Sequence, residues 1–250
     1  MGKPILLMRL EGPLQSWGTR SRWDVRDTQP EPTKSGIVGL LGCALGYPLG
    51  DPRLEHELDA GLRFGVRVEH AGQVCCDFHT VTDFLPMADG KYKYQGATSG
   101  RALEKLRTDP SAVPATIISP RYYLEDAAFL VALEETGAVA GLLARCAAAL
   151  RRPVWPLFLG RKACVPTRPI FAGLVEEYAD LDEALRQYPW SWLGAGGVNR
   201  TAHPPAQRMA YVEDPTGPLV RQDAVRSNAA RQYAFRHARS FIVGPEGGRA

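Results

Sequence analysis

Three glycines recur at every third position between Thr33 and Gly46, in a segment whose other residues are mostly apolar. Threonine is a common N-cap residue, and glycine is typical of the position just after a helix. The pattern predicts a helix over residues 33–45, with Gly36, Gly39 and Gly42 near one face. Because each glycine weakens an exposed helix by about 1 kcal/mol relative to alanine, we expect close packing to stabilise this face.

The segments around this helix predict a mixed fold. Apolar residues 4–10 read as a buried strand, and residues 62–69 and 73–81 alternate like a hairpin turning at Ala71 and Gly72. Further along the chain we expect a strand at residues 122–133, a helix at 137–150 and a strand at 154–159. This order predicts an α+β fold with a ferredoxin-like (RRM-like, βαββαβ) core, its helices on one face of the sheet.

The domain organisation follows from a break in the pattern. Residues 83–118 are polar, contain several Gly and Pro residues and lack sustained periodicity, so we interpret them as an inserted arm. The core then comprises residues 1–82 and 119–160, and residues 161–250 form a smaller C-terminal extension packed on it. Within this extension we expect a short helix at residues 181–188, a Gly and Pro loop at 194–205, and strands near 209–213 and 240–243.

Charge, hydropathy and cysteine spacing limit the partners and the location that we expect for this chain. The net charge of +3, from 30 basic and 27 acidic residues, is too small to identify a polyanion as partner. Arg9 interrupts the first apolar run, so we expect no signal peptide, no membrane partner and a cytoplasmic location. The five cysteines form no CxxC pair, which favours reduced thiols over disulfides or metal ligands, and we expect no cofactor.

Three stretches together carry a resemblance to a known family. They are MRLEGPLQSWG at residues 8–18, PTKSGIVGLLG at 32–42 and LGRKAC at 159–164. Supporting matches are DFHT at 77–80, RYYLEDAAF at 121–129 and RQYAFR at 231–236. In order and spacing they resemble the CasD-like subunits of type I-E CRISPR Cascade complexes, which belong to the RAMP superfamily, over nearly the whole chain.

The resemblance implies both a fold and a function. RAMP proteins have a ferredoxin-like core with a protruding β-hairpin thumb, which would be the arm at residues 83–118. A CasD-like subunit is not catalytic: it binds the 5′ handle of the CRISPR RNA and caps the backbone filament. The implied partners are the CRISPR RNA, the backbone subunit CasC, the large subunit CasA and the small subunit CasB, with target DNA bound through the assembled complex.

The loop before the glycine helix holds most of the candidate RNA ligands. Single-stranded RNA is bound by cations, hydrogen-bond donors and flat rings on which bases stack. The loop and the start of the helix offer all of these, in Gln15, Ser16, Trp17, Arg20, Arg22, Arg26, Lys34 and Ser35. The alternatives are that Trp17 packs beneath the loop and that the arginines are merely solvated.

Two further sites extend the predicted RNA surface. Gly160, Arg161 and Lys162 follow a predicted strand, where glycine permits a close approach and two cations flank it. Arg121 lies where the arm rejoins the core, its alternative role being an ion pair with Glu125 or Asp126. Seven arginines against three acidic residues suggest a basic face between residues 200 and 239, for RNA or an acidic subunit: Arg200, Arg208, Arg221, Arg226, Arg231, Arg236 and Arg239.

The main rival is metal-independent cleavage of precursor RNA, as in type I-C relatives. Such cleavage needs an acid and a base in close array, but the five histidines are scattered and no Lys-His dipeptide occurs. His79, with Tyr47, Tyr122 and Lys162 as helpers, is the one candidate, and we predict no catalytic residue. A third class, an RRM-like protein acting alone, would need an RNP aromatic pattern that Phe64 and Phe78 do not supply.

Overall fold

The computed structural model describes residues 2–19, 25–81, 85–86, 92–94, 97–98, 117–194, 205–227 and 232–244. The strands are β1 Ile5–Glu11, β2 Leu14–Gln15, β3 Leu62–His70, β4 Gln73–Val81, β5 Leu85–Pro86, β6 Tyr92–Tyr94, β7 Ala97–Thr98, β8 Ile117–Glu125, β9 Ala128–Glu135, β10 Phe171–Val175, β11 Arg208–Glu213, β12 Leu219–Ser227 and β13 Gln232–Val243. The α-helices are α1 Lys34–Leu45, α2 Leu142–Arg151 and α3 Leu181–Gln187, and Leu54–Asp59 forms a π-helix.

Seven strands form one sheet in the order β10-β1-β9-β3-β11-β13-β12, and every neighbouring pair in it is antiparallel. Strand β1 pairs with β9 from Ile5 opposite Glu134 to Glu11 opposite Ala128. These two central strands are apolar at nearly every position because both of their faces are covered.

The two faces of the sheet carry separate apolar cores. On one face, Leu6, Met8 and Phe64 pack with residues of α1 and α2. On the other face, Ile5 and Leu7 pack with residues of α3. Successive residues of a strand point to opposite faces, which is why neighbours in β1 belong to different cores. The two helices of the predicted core, α1 and α2, therefore lie on one face as expected, and α3 of the C-terminal extension covers the other face.

Helix α1 has the predicted ends. Thr33 accepts a hydrogen bond from the Gly36 amide at 3.2 Å, and Gly46 follows the last turn with φ of 75°. A Cβ at Gly36 would lie 2.9 Å from the Trp17 ring, and one at Gly42 would lie 2.3 Å from Leu54. Gly39 has no neighbouring atom within 4 Å of such a Cβ. Close packing thus accounts for two of the three glycines.

The predicted hairpin at Ala71 and Gly72 is wrong. Strand β3 pairs with β9 and β11, whereas β4 belongs to a separate three-stranded sheet of order β2-β8-β4. Gly72 has φ of 69°, and a Cβ there would lie 2.4 Å from the Glu125 carbonyl oxygen. The chain therefore uses this glycine to pass from one sheet into the other.

Three other strand assignments change. The segment at 122–133 lies in two strands, β8 and β9, separated at Asp126, whose φ is 57°. Residues 154–159 form no strand, and the place beside β1 is taken by β10, which the sequence did not predict. Strand β12 was also missed. Its register with β13 is interrupted twice, and such bulges break the alternation that identifies a strand.

The chain divides into two compact units. The larger comprises Met1–Thr19, Thr28–Cys75 and Tyr123–Ala250, and the smaller comprises Arg20–Asp27 and Cys76–Tyr122. Within the smaller unit β5, β6 and β7 form a three-stranded antiparallel sheet, with Leu85 opposite Lys93 and Lys93 opposite Thr98. Most of the predicted arm at residues 83–118 lies outside the described residues.

Candidate nucleic-acid interface

Gln15 and Trp17 are buried in the larger unit. The Gln15 amide donates to the carbonyl oxygens of Leu10 and Ala127 at 3.2 and 2.7 Å, and its oxygen accepts from the Trp17 indole at 3.1 Å. Trp17 is only 1% exposed and packs against Gly36. In this arrangement its ring is not available to stack on a base, and the alternative role, packing under the loop, is the one that the structure supports.

The two predicted RNA segments meet through their backbones. The Ser16 amide donates to the Leu159 carbonyl oxygen at 3.0 Å. Gly160 has φ of 97°, and a Cβ at this position would lie 1.8 Å from the Ser16 carbonyl oxygen. Both its conformation and its contact therefore require glycine. The N-terminal loop and the 160–162 segment, far apart in sequence, form one local surface.

A tight turn presents Arg161 and Lys162. The Leu159 amide donates to the Cys164 carbonyl oxygen at 2.7 Å, and the Cys164 amide donates to that of Arg161 at 2.9 Å. Cys164 is buried and anchors the turn, and this burial raises the pKa of its thiol. The Arg161 guanidinium lies 4.6 Å from the centroid of the Tyr123 ring, and Lys162 is exposed.

Tyr123 is a site residue that the sequence analysis missed as such. It is 3% exposed and supports the Arg161 side chain from below. A cation over an aromatic face is attracted to it and loses rotational freedom, so Tyr123 holds the guanidinium in place. The signal was present in the RYYLEDAAF stretch, but nothing in the sequence paired that tyrosine with Arg161.

The start of α1 is already occupied by acidic groups of the protein. The Lys34 amide donates to Asp223 Oδ2 at 2.8 Å, and its Nζ lies 3.0 Å from Glu213. The Lys34 side chain is 6% exposed, and the Ser35 hydroxyl donates to Thr33 Oγ1 at 3.4 Å. The anion position predicted at this helix start is therefore filled by Asp223, and Lys34 has an internal ion pair in place of a free ammonium.

The backbone of Arg26, the loop arginine that lies within the described residues, pairs with the segment around Arg121. Arg20 and Arg22 lie outside the described residues. In the smaller unit the Arg26 amide donates to the Pro120 carbonyl oxygen at 2.9 Å, and the Tyr122 amide donates to that of Arg26 at 2.8 Å, which sets Arg26 beside Arg121 in a parallel bridge. Among the described residues, Arg121 Nε has no hydrogen-bond partner.

The predicted basic face near the C-terminus is largely neutralised. Arg236 binds Asp223 at 2.7 Å, Arg239 lies 3.0 Å from Asp214, and Arg221 pairs with Glu31. Arg208 is buried, 3.8 Å from Glu69, and Arg226 is exposed, while Arg200 and Arg231 lie outside the described residues. Counting charges within one stretch of sequence failed because acidic partners such as Glu31 come from distant segments.

Two of the residues proposed for cleavage, His79 and Tyr47, make contacts with charged side chains of the protein. His79 Nε2 lies 2.7 Å from Asp77 on exposed strand β4, in the smaller unit. Tyr47, in the larger unit, is buried beneath the Arg53 guanidinium, 3.8 Å from its ring centroid. Within the described part of the chain no three His, Cys, Asp or Glu side chains are placed to hold a metal ion, and no helix is long and apolar enough to cross a membrane.

Comparisons with known proteins agree on one family. The family model described as "CRISPR-associated protein (Cas_Cas5)" matches residues 5–239. The chain is 33% identical over 186 residues to "CRISPR system Cascade subunit CasD" of Escherichia coli (strain K12), covering 74% of this chain and 77% of that protein.

Two solved structures are similar over almost the whole chain. One, "Crystal structure of Cas protein", is 37% identical with a TM-score of 0.66, covering 97% of this chain and 96% of the other. The second, "CRISPR RNA-guided surveillance complex", is 27% identical with a TM-score of 0.68, covering 96% of this chain and 90% of the other.

Proposed function

The chain belongs to the Cas5 family of CRISPR-associated proteins, and from this premise we propose that it is a non-catalytic subunit of a Cascade-type surveillance complex that binds the 5′ handle of the CRISPR RNA. In this proposal it caps the backbone filament in the cytoplasm and contacts the subunits CasC and CasA, with CasB as a further neighbour. Target DNA is reached through the assembled complex.

The observation that carries the RNA-binding proposal is the turn at residues 160–164. It presents Arg161, held over Tyr123, and the exposed Lys162 beside the Ser16 backbone. A guanidinium held over an aromatic ring and an exposed ammonium on a glycine turn suit the phosphates of a single strand. Gln15, Ser16, Trp17 and Gly160 then shape the surface, and Lys34 and Ser35 support the helix behind it.

The sheet topology supports a ferredoxin-like core. Strands β1, β3, β9 and β10, with α1 after the first and α2 before the last, occupy the sheet order β10-β1-β9-β3. We retain the proposal that residues 83–118 form the thumb. Residues 161–250 remain the proposed extension except for β10, which supplies the fourth strand of this core, and β11, β12 and β13 of the extension belong to the same sheet as β1. Arg26 and Arg121 are proposed to contact the guide at the thumb base, together with Arg20 and Arg22.

Retention of guide RNA in the assembled complex tests the proposal. Replacing Arg161 and Lys162 together with Ala should reduce the guide RNA recovered per complex several-fold, because two phosphate contacts are lost. Replacing Arg53 and Arg145, two half-exposed cations elsewhere in the larger unit, gives the matched control and should leave recovery unchanged. Equal recovery from both double variants would overturn the proposed site.

Cleavage of precursor RNA is the alternative, and the exposed His79 beside Asp77 is the observation in its favour. A carboxylate at 2.7 Å can orient an imidazole for proton transfer. Incubating the purified chain with repeat RNA in EDTA tests it, and we expect the RNA to stay intact. Specific cleavage that His79→Ala abolishes would establish an enzyme.

A further inference from the structure

An irregular segment joins α2 to the turn at residues 160–164, and it exposes one tryptophan. Residues 153–156 read Pro-Val-Trp-Pro, and Trp155 is 42% exposed. Every other tryptophan within the described residues is at most 7% exposed. Because a tryptophan ring is largely apolar, one that is left open to water is typical of a binding surface.

The backbone around Trp155 is anchored on the last turn of α1. The Val154 amide donates to the Ala44 carbonyl oxygen at 2.9 Å, and the Cys43 thiol donates to that of Pro156 at 3.3 Å. Proline also restricts the backbone of the residue before it, here Trp155. The ring is therefore presented on a rigid backbone, and binding a ligand there costs little ordering of the chain.

The same segment leads directly to the proposed RNA turn. Its far end is fixed where the Ser16 amide donates to the Leu159 carbonyl oxygen at 3.0 Å. Six positions separate Trp155 from Arg161, so their Cα atoms are at most about 21 Å apart. Both residues lie in the larger unit. One single strand of a few nucleotides can therefore contact the ring and the turn together.

The charge along this segment has one sign. Residues 151–175 contain five basic and no acidic residues. Of the basic residues, Arg168 is paired with Glu11. Arg152 and Lys162 are exposed, and within the described part of the chain neither has an acidic partner. Unlike most arginines near the C-terminus, these two cations are available to an anionic ligand.

An exposed ring flanked in sequence by such cations favours single-stranded RNA over a protein as its ligand. Unpaired bases stack on aromatic rings while neighbouring cations neutralise the phosphates. The centre of a protein interface, in contrast, is depleted in charged residues. A duplex keeps its bases stacked on one another, so it would leave the ring without a partner. The combination therefore fits unpaired nucleotides.

We propose that Trp155 is a stacking platform for an unpaired base of the CRISPR RNA, and that Arg152 contacts a phosphate of the same strand. This inference rests on the proposed function. It extends the RNA surface from the turn at residues 160–164 to the C-terminal end of α1. Neither residue was among the RNA ligands predicted from the sequence motifs.

Equilibrium binding of the purified full chain to a fluorescent single-stranded repeat RNA tests the stacking role. Trp155→Ala should weaken binding by about tenfold, since stacking on the ring is lost. Trp155→Phe should retain most of the affinity. Trp155→Leu, which keeps apolar volume without a flat ring, should lose as much affinity as the alanine variant. Unchanged affinity in Trp155→Ala, or full affinity in Trp155→Leu, would overturn the inference.

Salt dependence separates the ring from the cation. Trp155→Ala should leave the slope of log affinity against log salt unchanged, because stacking releases no counterions. Arg152→Ala should reduce this slope by about 0.7, the value for one phosphate contact on a single strand. The same slope in Arg152→Ala as in the unaltered chain would contradict its phosphate contact.

Two variants on other surfaces are the matched controls. Phe235→Ala removes a 68% exposed ring from β13. Arg186→Ala removes an exposed arginine from α3, which covers the other face of the sheet. Neither should change the affinity or the slope, and melting temperatures verify that every variant folds. A loss in Phe235→Ala as large as that in Trp155→Ala would contradict a specific role for Trp155.

Photo-crosslinking identifies the neighbour of the ring in the assembled complex. A benzophenone amino acid replaces Trp155 in the full chain, and the complex is purified with its guide RNA and irradiated. An adduct with the guide RNA is the expected result. An adduct with a protein subunit, or no adduct, would overturn the inference.

The two proposals can fail separately. If the unaltered chain neither binds repeat RNA nor enters a complex with guide RNA, the proposed function fails and this inference fails with it. If the double alanine variant of Arg161 and Lys162 loses RNA but Trp155→Ala does not, only the stacking platform is wrong.

Discussion

At the scale of single residues, glycines in this chain have opposite energetic roles. Gly160 combines a left-handed conformation with backbone contact to Ser16, and both exclude a side chain. Gly39 lies in the exposed middle of α1 with open space around it, so its missing side chain serves no packing purpose there. The same residue type is therefore required at one site and costly at the other.

Gly160→Ala should destabilise the protein by about 3 kcal/mol, since the alanine methyl group would meet the Ser16 carbonyl in a strained backbone conformation. Gly39→Ala should stabilise it by about 0.5–1 kcal/mol, because alanine favours the helix and reduces the freedom of the unfolded chain. Urea unfolding of both variants measures the two free energies. Equal effects would contradict the role assigned to the 160–164 turn.

Asp59 is a buried carboxyl whose pKa lies well above its ordinary value. Burial raises the pKa of this carboxyl from 3.8 to about 6, although nearby Lys34 and the hydrogen bond from the Val225 amide lower it. The pKa of Asp59 is higher in the folded than in the unfolded protein, so the folded protein binds the proton more tightly. The protonated carboxyl therefore contributes to stability below pH 4, and this contribution is lost as pH rises through about 6.

Asp59→Asn should therefore stabilise the protein at pH 7.5 by up to about 3 kcal/mol, from a shift of about two pKa units at about 1.4 kcal/mol each. The gain should vanish as pH falls from 6 to 4, where the native aspartate becomes protonated. Unfolding free energies across this range measure it. A gain that stays constant with pH would rule out titration of Asp59 as its cause.

At the scale of elements, ion pairs join the first helix to the last strands. Asp223 of β12 accepts the Lys34 amide at the start of α1 and binds Arg236 of β13 through two hydrogen bonds of 2.7 and 2.9 Å. Its side chain is 3% exposed and that of Arg236 is 9% exposed. Through Asp223, hydrogen bonds and an ion pair therefore connect the start of α1 to the hairpin formed by β12 and β13.

Asp223→Ala should cost about 3–5 kcal/mol of stability, because it leaves the buried Arg236 guanidinium without its carboxylate and the Lys34 amide without its acceptor. Asp77→Ala, which removes a 60% exposed carboxylate paired with His79, is the control and should leave the unfolding midpoint nearly unchanged. Thermal unfolding compares the two. Similar midpoints would show that α1 does not depend on the hairpin.

At the scale of the whole molecule, the net charge of +3 does not show which cations are available to bind RNA. Most described arginines near the C-terminus are paired with acids, whereas Lys162 is exposed beside the Arg161 that Tyr123 holds. Association with RNA should therefore depend on a few local cations and not on the general field of the protein.

The salt dependence of guide binding should report these cations. Each phosphate contact on a single strand contributes about 0.7 to the slope of log affinity against log salt, so replacing Arg161 and Lys162 with Ala should reduce the slope by about 1.4. Filter binding of the complex at several salt concentrations measures it. Arg53→Ala with Arg145→Ala should preserve the slope, and an unchanged slope in the first variant would contradict two phosphate contacts.

The sequence by itself determined the local elements whose signals lie within a few residues. The ends of α1, the α2 and α3 helices and the strands β1, β3 and β11 could be predicted because capping and hydrophobic periodicity depend on neighbouring positions. The family followed from motifs of the same kind. The edge strand β10 and the bulged β12 could not be predicted, since pairing partners far along the chain stabilise them.

Only the tertiary structure decided what the candidate residues do. Trp17 and Lys34 carry the residue types of an RNA site, yet packing against Gly36 buries the first and Glu213 pairs with the second. Tyr123 became a support for Arg161 only when the turn at residues 160–164 was placed above it. These three contacts join residues 19, 38 and 179 positions apart in the sequence, and no local pattern records which of them meet.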